Sequence, residues 1–151
     1  MPTRRKLLTS VLLLAAGATW TACDEKLSTL AGPTPNLTPT FATIQSEVFE
    51  KTDSAGRPAC TNCHTAIGRN PAGGANLTHD LAYDNLVNVP VRGKPGAIRV
   101  IPGDPDNSYL VQKLEGTPGI VGQRMPFNGG PFLKDGQILI IRRWIANGAP
   151  R

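Results

Sequence analysis

The chain of 151 residues has few aromatic side chains, which make up 5% of it, and only three cysteines and two histidines. It contains 14 prolines and 16 glycines, and no alternating apolar pattern long enough for a strand. A small chain with so few large apolar side chains usually needs a disulfide, a metal or a prosthetic group to fold around. Three cysteines, with two of them three positions apart, do not make a disulfide framework. The composition therefore favours a domain that folds around a cofactor.

Blocks of basic residues are also missing from most of the chain. The net charge of +5 falls to +2 once Arg4, Arg5 and Lys6 are set aside. Because no Lys/Arg block follows them, we expect no nucleic-acid partner.

The first 22 residues have the pattern of a signal peptide. A basic start is followed by an apolar run over residues 7–17, which is shorter than the roughly 20 residues of a spanning helix. An uncleaved signal anchor is the alternative for this segment. We expect export to the periplasmic side of a bacterial membrane.

Trp20-Thr21-Ala22-Cys23 resembles the lipobox of bacterial lipoproteins, in which the cysteine is lipidated and becomes the first residue. Ala22 and Cys23 match that pattern, whereas Trp20 replaces the aliphatic residue that is usual there. The resemblance implies a membrane tether through Cys23, and a plain signal peptide with an incidental cysteine is the alternative. Residues 23–39, rich in Pro and Thr, are expected to form a flexible tether.

Residues 40–151 form the predicted domain, which we expect to be small and all-α. Apolar residues at helical spacing follow Thr40, a candidate N-cap. Thr78 is a second candidate cap, and Asp104-Pro105 is a typical helix start. A last helix is predicted over residues 135–147, with the apolar stripe Ile138, Ile141, Trp144 and Ile145.

Cys60-Thr61-Asn62-Cys63-His64 has the spacing of c-type haem attachment. Two thiols three positions apart on a helical turn can both form thioethers with the haem vinyl groups, and the next residue then points its imidazole at the iron. We therefore expect one covalently bound c-type haem. Cys60 and Cys63 would be its anchors and His64 the proximal iron ligand. Export agrees, since bacterial c-type haem is attached outside the cytoplasm.

Three other interpretations of the cysteine pair compete with haem attachment. A structural zinc ion needs four Cys or His ligands, and adjacent residues such as Cys63 and His64 can hardly both bind one tetrahedral ion. A thioredoxin-type pair belongs in a βαβ unit, which the sequence does not indicate. An ordinary disulfide across this spacing is the third.

Met125 is the expected distal ligand. It is the only methionine besides the initiator, and it lies between glycine-rich stretches, where a methionine is a poor core residue. His79 is the rival ligand, although its position beside Asp80 favours an exposed side chain. An open distal site is the third alternative. Arg92, Arg99 and Arg124 are candidate partners for the haem propionates, or else exposed loop residues.

These segments together resemble class I c-type cytochromes, and in particular the bacterial branch with a Pro-Gly-Asp-Pro segment before a Met-Pro ligand loop. The resemblance covers about residues 41–149. The matching segments are Cys60 to His64, Gly74 to Leu77, Pro102 to Leu110, Arg124-Met125-Pro126 and Ile141 to Ala149.

The resemblance implies a monohaem domain of the cytochrome c fold, in which Phe41, Ile44 and Val48 or Phe49 meet Ile141, Trp144 and Ile145 beside the haem. It also implies that a backbone carbonyl accepts the N–H of His64. The chain departs from the family at Ala75, where the family has proline, and in the long interval between Phe49 and Cys60.

The implied function is transport of single electrons, because a haem with His and Met ligands has no free site for a substrate. The alternatives are a haem enzyme or gas sensor with an open distal site, and a structural lipoprotein that uses haem only to fold.

Overall fold

The computed structural model describes residues 38–127 and 129–151. The signal peptide of residues 1–22 and the tether up to residue 37, with Cys23, lie outside the described residues. Within the described ranges the regular structure is helical and β pairing is limited to isolated bridges. The expectation of a small all-α domain is confirmed. The α-helices are α1 (Phe41–Ile44), α2 (Ala82–Leu86), α3 (Tyr109–Glu115) and α4 (Asp135–Ala146).

The first helix begins behind Thr40, as predicted. The Thr40 side chain accepts a hydrogen bond from the backbone N–H of Thr43 at 3.2 Å. After Ile44 the helix widens into a π-helical segment, Gln45–Phe49. Val48 and Phe49, at the end of this segment, are both buried.

Helix α4 packs against α1 through the predicted stripe. Ile138, Ile141, Trp144 and Ile145 are all buried. The ring of Phe41 lies 5.3 Å from that of Trp144 and 5.2 Å from that of Tyr83, measured between centroids. The chain that follows α4 is fixed by side-chain donors, since the Trp144 indole donates to the Pro150 carbonyl at 2.7 Å.

Two predicted helix starts are wrong by several residues. Thr78 does not cap α2, which begins at Ala82 with no side-chain cap. Asp104-Pro105 does not begin α3. Instead, the Asp104 carboxylate accepts the Asn107 N–H at 3.1 Å, and its carbonyl accepts the Ser108 hydroxyl at 2.7 Å. These bonds close a turn, so α3 starts only after Ser108.

Candidate functional site

A cavity of about 300 Å³ opens between the π-helical segment, the segment after the cysteine motif, α3 and the loop that follows α3. Most of its lining is apolar. Five of the lining residues, Val48, Phe49, Leu77, Leu86 and Leu114, also belong to the core. The cavity is therefore continuous with the core and is not a separate surface groove.

Three of the predicted site residues line this cavity: Cys60, His64 and Met125. The fourth, Cys63, is exposed and is not among the lining residues. A thiol, an imidazole and a thioether from positions up to 65 apart in sequence thus meet around one apolar space.

The cysteine motif forms a single tight turn. Cys60–Asn62 is a 3₁₀ helix, and the Cys60 carbonyl accepts the backbone N–H groups of Cys63 at 3.2 Å and His64 at 2.9 Å. Both cysteines are free thiols. Burial raises the pKa of the Cys60 thiol, and the nearby positive charge of Arg57 opposes this shift. The thiol is therefore held protonated at neutral pH.

His64 is half-buried, and its Nδ1 lies 3.2 Å from the carbonyl oxygen of Ala75. Because a carbonyl only accepts, this contact assigns the proton to Nδ1 and leaves Nε2 as the free lone pair. Burial lowers the pKa of the imidazole, against an opposing effect of the Ala75 carbonyl. The side chain is therefore neutral and suited to binding a metal through Nε2.

The expected carbonyl acceptor for His64 is present although proline is not. Ala75 follows a 3₁₀ segment, Ala72–Gly74, and its own N–H donates to the Ala72 carbonyl at 3.1 Å. The segment is also joined to the motif, since the Leu77 N–H donates to the His64 carbonyl at 2.8 Å.

The rival ligand His79 lies away from the cavity lining. Its side chain is 73% exposed, and its Nδ1 is 3.6 Å from Glu50 Oε1. Within the described ranges, no three His, Cys, Asp or Glu side chains are grouped so that they could hold a metal ion. A zinc site would need four such ligands.

The three predicted propionate partners differ in position. Arg99 is buried and lines the cavity, and Arg92 is exposed and also lines it. Arg124 does not line it, because its Nε donates to the Leu114 carbonyl at 2.7 Å and its guanidinium stacks on Phe132 at 4.1 Å.

Arg57 is a buried residue that the sequence pattern did not indicate. It is 0% exposed and pairs with Asp53, with Nε to Oδ2 at 3.2 Å. Its guanidinium also donates to the carbonyls of Val48, Lys51 and Pro58, and lies 3.7 Å from Cys60 Sγ. These bonds close the long interval between the first helix and the motif. An Asp four residues before an Arg was the only signal, and it is common on exposed surfaces.

Fold and site together define a small helical domain with an apolar cavity lined by a thiol, an imidazole and a thioether. No protein-family model matches the chain, and comparisons with curated proteins and with solved structures find no match either. Among the helices of residues 38–127 and 129–151, none is both long and apolar enough to cross a membrane.

Proposed function

We propose that this chain is a monohaem c-type cytochrome that carries single electrons. The observation that carries the proposal is the meeting of Cys60, His64 and Met125 around one apolar cavity. Each of the three was assigned from the sequence to a different part of a haem site.

The chemistry of the lining fits a haem. A haem is a flat apolar ring with acidic groups at one edge, and this cavity combines apolar side chains with the cationic Arg92, Arg99 and Lys113. When bound, the haem supplies an iron that alternates between the ferrous and ferric states. Cys60 and Cys63 would anchor it as thioethers.

His64 and Met125 would hold the iron of the haem. The Ala75 carbonyl holds the imidazole in the tautomer whose Nε2 is available to the iron. Thioether ligation raises the reduction potential relative to a second nitrogen ligand. The burial of the haem in apolar surroundings also tunes this potential. The protein would thus bind the haem, orient His64 and exclude water from the cavity.

The location is part of the proposal. A signal peptide over residues 1–22 and a lipid on Cys23 would place the domain on the periplasmic side of a bacterial membrane, attached through residues 23–39. Its partners there would be a donor and an acceptor of electrons.

The test is expression with export and the c-type haem-attachment machinery. The purified protein should exceed the polypeptide mass by one haem, should keep that haem through acid-acetone extraction, and should show a c-type pyridine haemochrome spectrum. The Cys60→Ser/Cys63→Ser double variant, made in the same cells, is the control and should lack covalent haem. A colourless or zinc-containing wild-type protein would refute the proposal.

The alternative of an open-site haem enzyme or gas sensor makes a different prediction for the same preparation. A haem with both axial positions filled should bind carbon monoxide slowly and weakly when reduced. Immediate carbon monoxide binding by the reduced wild type would favour the open site.

A further inference from the structure

Arg99 joins two separate parts of the chain at the edge of the cavity. Its side chain is 9% exposed, and its guanidinium donates to three backbone carbonyls. The Asn85 carbonyl, in α2, accepts from Nη1 at 2.7 Å. The carbonyls of Gly74 and Gly73 accept from Nη2 at 3.0 Å and 3.4 Å. The planar fork of an arginine can bridge carbonyls on two segments in this way, whereas a lysine presents a single point charge.

The side chains of Arg92 and Arg99 both lie against the backbone at Gly74. Gly74 has φ +69°, and a Cβ at this position would lie 3.6 Å from Arg99 Nη2 and 3.5 Å from Arg92 Cδ. The backbone of residues 73 and 74 therefore packs directly on the arginine side chains. The hydrogen bonds from Arg99 add to those that the Gly74 and Ala75 N–H groups donate to the carbonyls of Pro71 and Ala72.

The residue that follows Gly74 is Ala75, whose carbonyl accepts the Nδ1–H of His64 at 3.2 Å. Arg99 thus fixes the peptide next to the one that orients the imidazole. Proline, which would stiffen the backbone at this point, is absent from position 75.

We propose that Arg99 is a positioning residue for His64. By tying the carbonyls of Gly73 and Gly74 to α2, it keeps the Ala75 carbonyl on the imidazole Nδ1–H and supplies the rigidity that proline would otherwise give. This inference rests on the proposed function, because the orientation matters only if His64 binds iron.

The test uses the haem-loaded Arg99→Lys variant, which keeps the positive charge but cannot bridge the three carbonyls. In the reduced, diamagnetic protein, the His64 Nδ1–H should exchange with solvent about fivefold faster than in the wild type, as expected for the loss of one modest interaction. Arg142→Lys is the matched control, since the Arg142 guanidinium also bridges two partners, the carboxylates of Glu115 and Asp106, but does not line the cavity. Its His64 exchange should equal that of the wild type.

Backbone amide exchange in α4 distinguishes local from general loosening. Faster Nδ1–H exchange in Arg99→Lys with unchanged amides at Trp144 and Ile145 supports the proposal. Unchanged Nδ1–H exchange, or an equal acceleration of the α4 amides, overturns it. Failure of this test in a protein that carries covalent haem leaves the cytochrome proposal intact, and only absence of haem would remove both.

Discussion

Met125 lies in the cavity on a loop that is hydrogen-bonded to α3 at several points. Its backbone N–H donates to the Lys113 carbonyl at 2.8 Å. The Lys113 ammonium donates to the carbonyls of Val121, at 3.0 Å, and Gln123. These hydrogen bonds hold the loop in place, with Met125 in the cavity lining.

The substitution Met125→Ala tests this residue. It should abolish the red charge-transfer band of thioether-ligated ferric haem, admit carbon monoxide to the reduced protein, and lower the midpoint potential, because a ligand that favours ferrous iron is lost. Absorption spectra and a redox titration measure these effects.

His79→Ala is the matched control for Met125→Ala, since His79 is exposed and should leave all three properties unchanged. If His79→Ala opened the site instead, the distal ligand would be misassigned.

The sequence indicates which residue types belong to the candidate site, but not the hydrogen bonds that hold them in place. Cys60, Cys63 and His64 are predicted as haem-binding residues from their spacing along the chain, and the structure brings Cys60 and His64 to the same cavity as Met125. Arg57 and Arg99 could not be assigned in this way. Their partners are backbone carbonyls up to 26 positions away, and backbone carbonyls carry no sequence signature.

The sequence indicates the ends of the helices better than their starts. Gly116 ends α3 with φ +74°, and Gly148 follows α4 with φ +90°. A glycine with positive φ is typical of a helix C-terminus. The starts near Thr78 and Asp104 were wrong because capping residues also close turns, and the sequence does not distinguish these uses.

The end of α3 packs tightly against the side chain of Arg124. A Cβ on Gly116 would lie 2.9 Å from Arg124 Cδ, and the residue has a positive φ. Gly116→Ala should therefore reduce the free energy of unfolding by about 1–2 kcal/mol. It should also displace Arg124 and weaken Met125 ligation, which carbon monoxide affinity would measure.

Gly119→Ala is the control for that change. Gly119 has φ +85°, but a Cβ there would contact nothing within 4 Å. It should lose similar stability and keep wild-type carbon monoxide affinity. Equal affinities in both variants would contradict a mechanical link between the end of α3 and Met125.

For the molecule as a whole, the cavity lies against the main core. Five residues belong to both the cavity lining and the core: Val48, Phe49, Leu77, Leu86 and Leu114. A ligand in the cavity would therefore add packing contacts to core side chains. A ligand that binds only the folded state stabilises it.

We therefore expect the haem-free Cys60→Ser/Cys63→Ser variant to lose most of its helix content and its cooperative thermal transition. Circular dichroism during heating measures both, with the haem-loaded wild type as reference. A sharp transition with native helix content in the variant would show that the polypeptide core suffices.

The two sides of the cavity are encoded differently along the chain. In the proposed haem site, residues 60–64, 72–77 and Arg99 form the proximal side, whereas Met125 and the hydrogen bonds of its loop with Lys113 and Leu114 come from the single stretch 109–125. If the domain binds haem as proposed, a designed graft of this stretch would exchange the distal ligand and keep the cysteine motif of the host chain. Under the proposed function, such a graft is a route by which an electron carrier could become a haem protein that binds ligands.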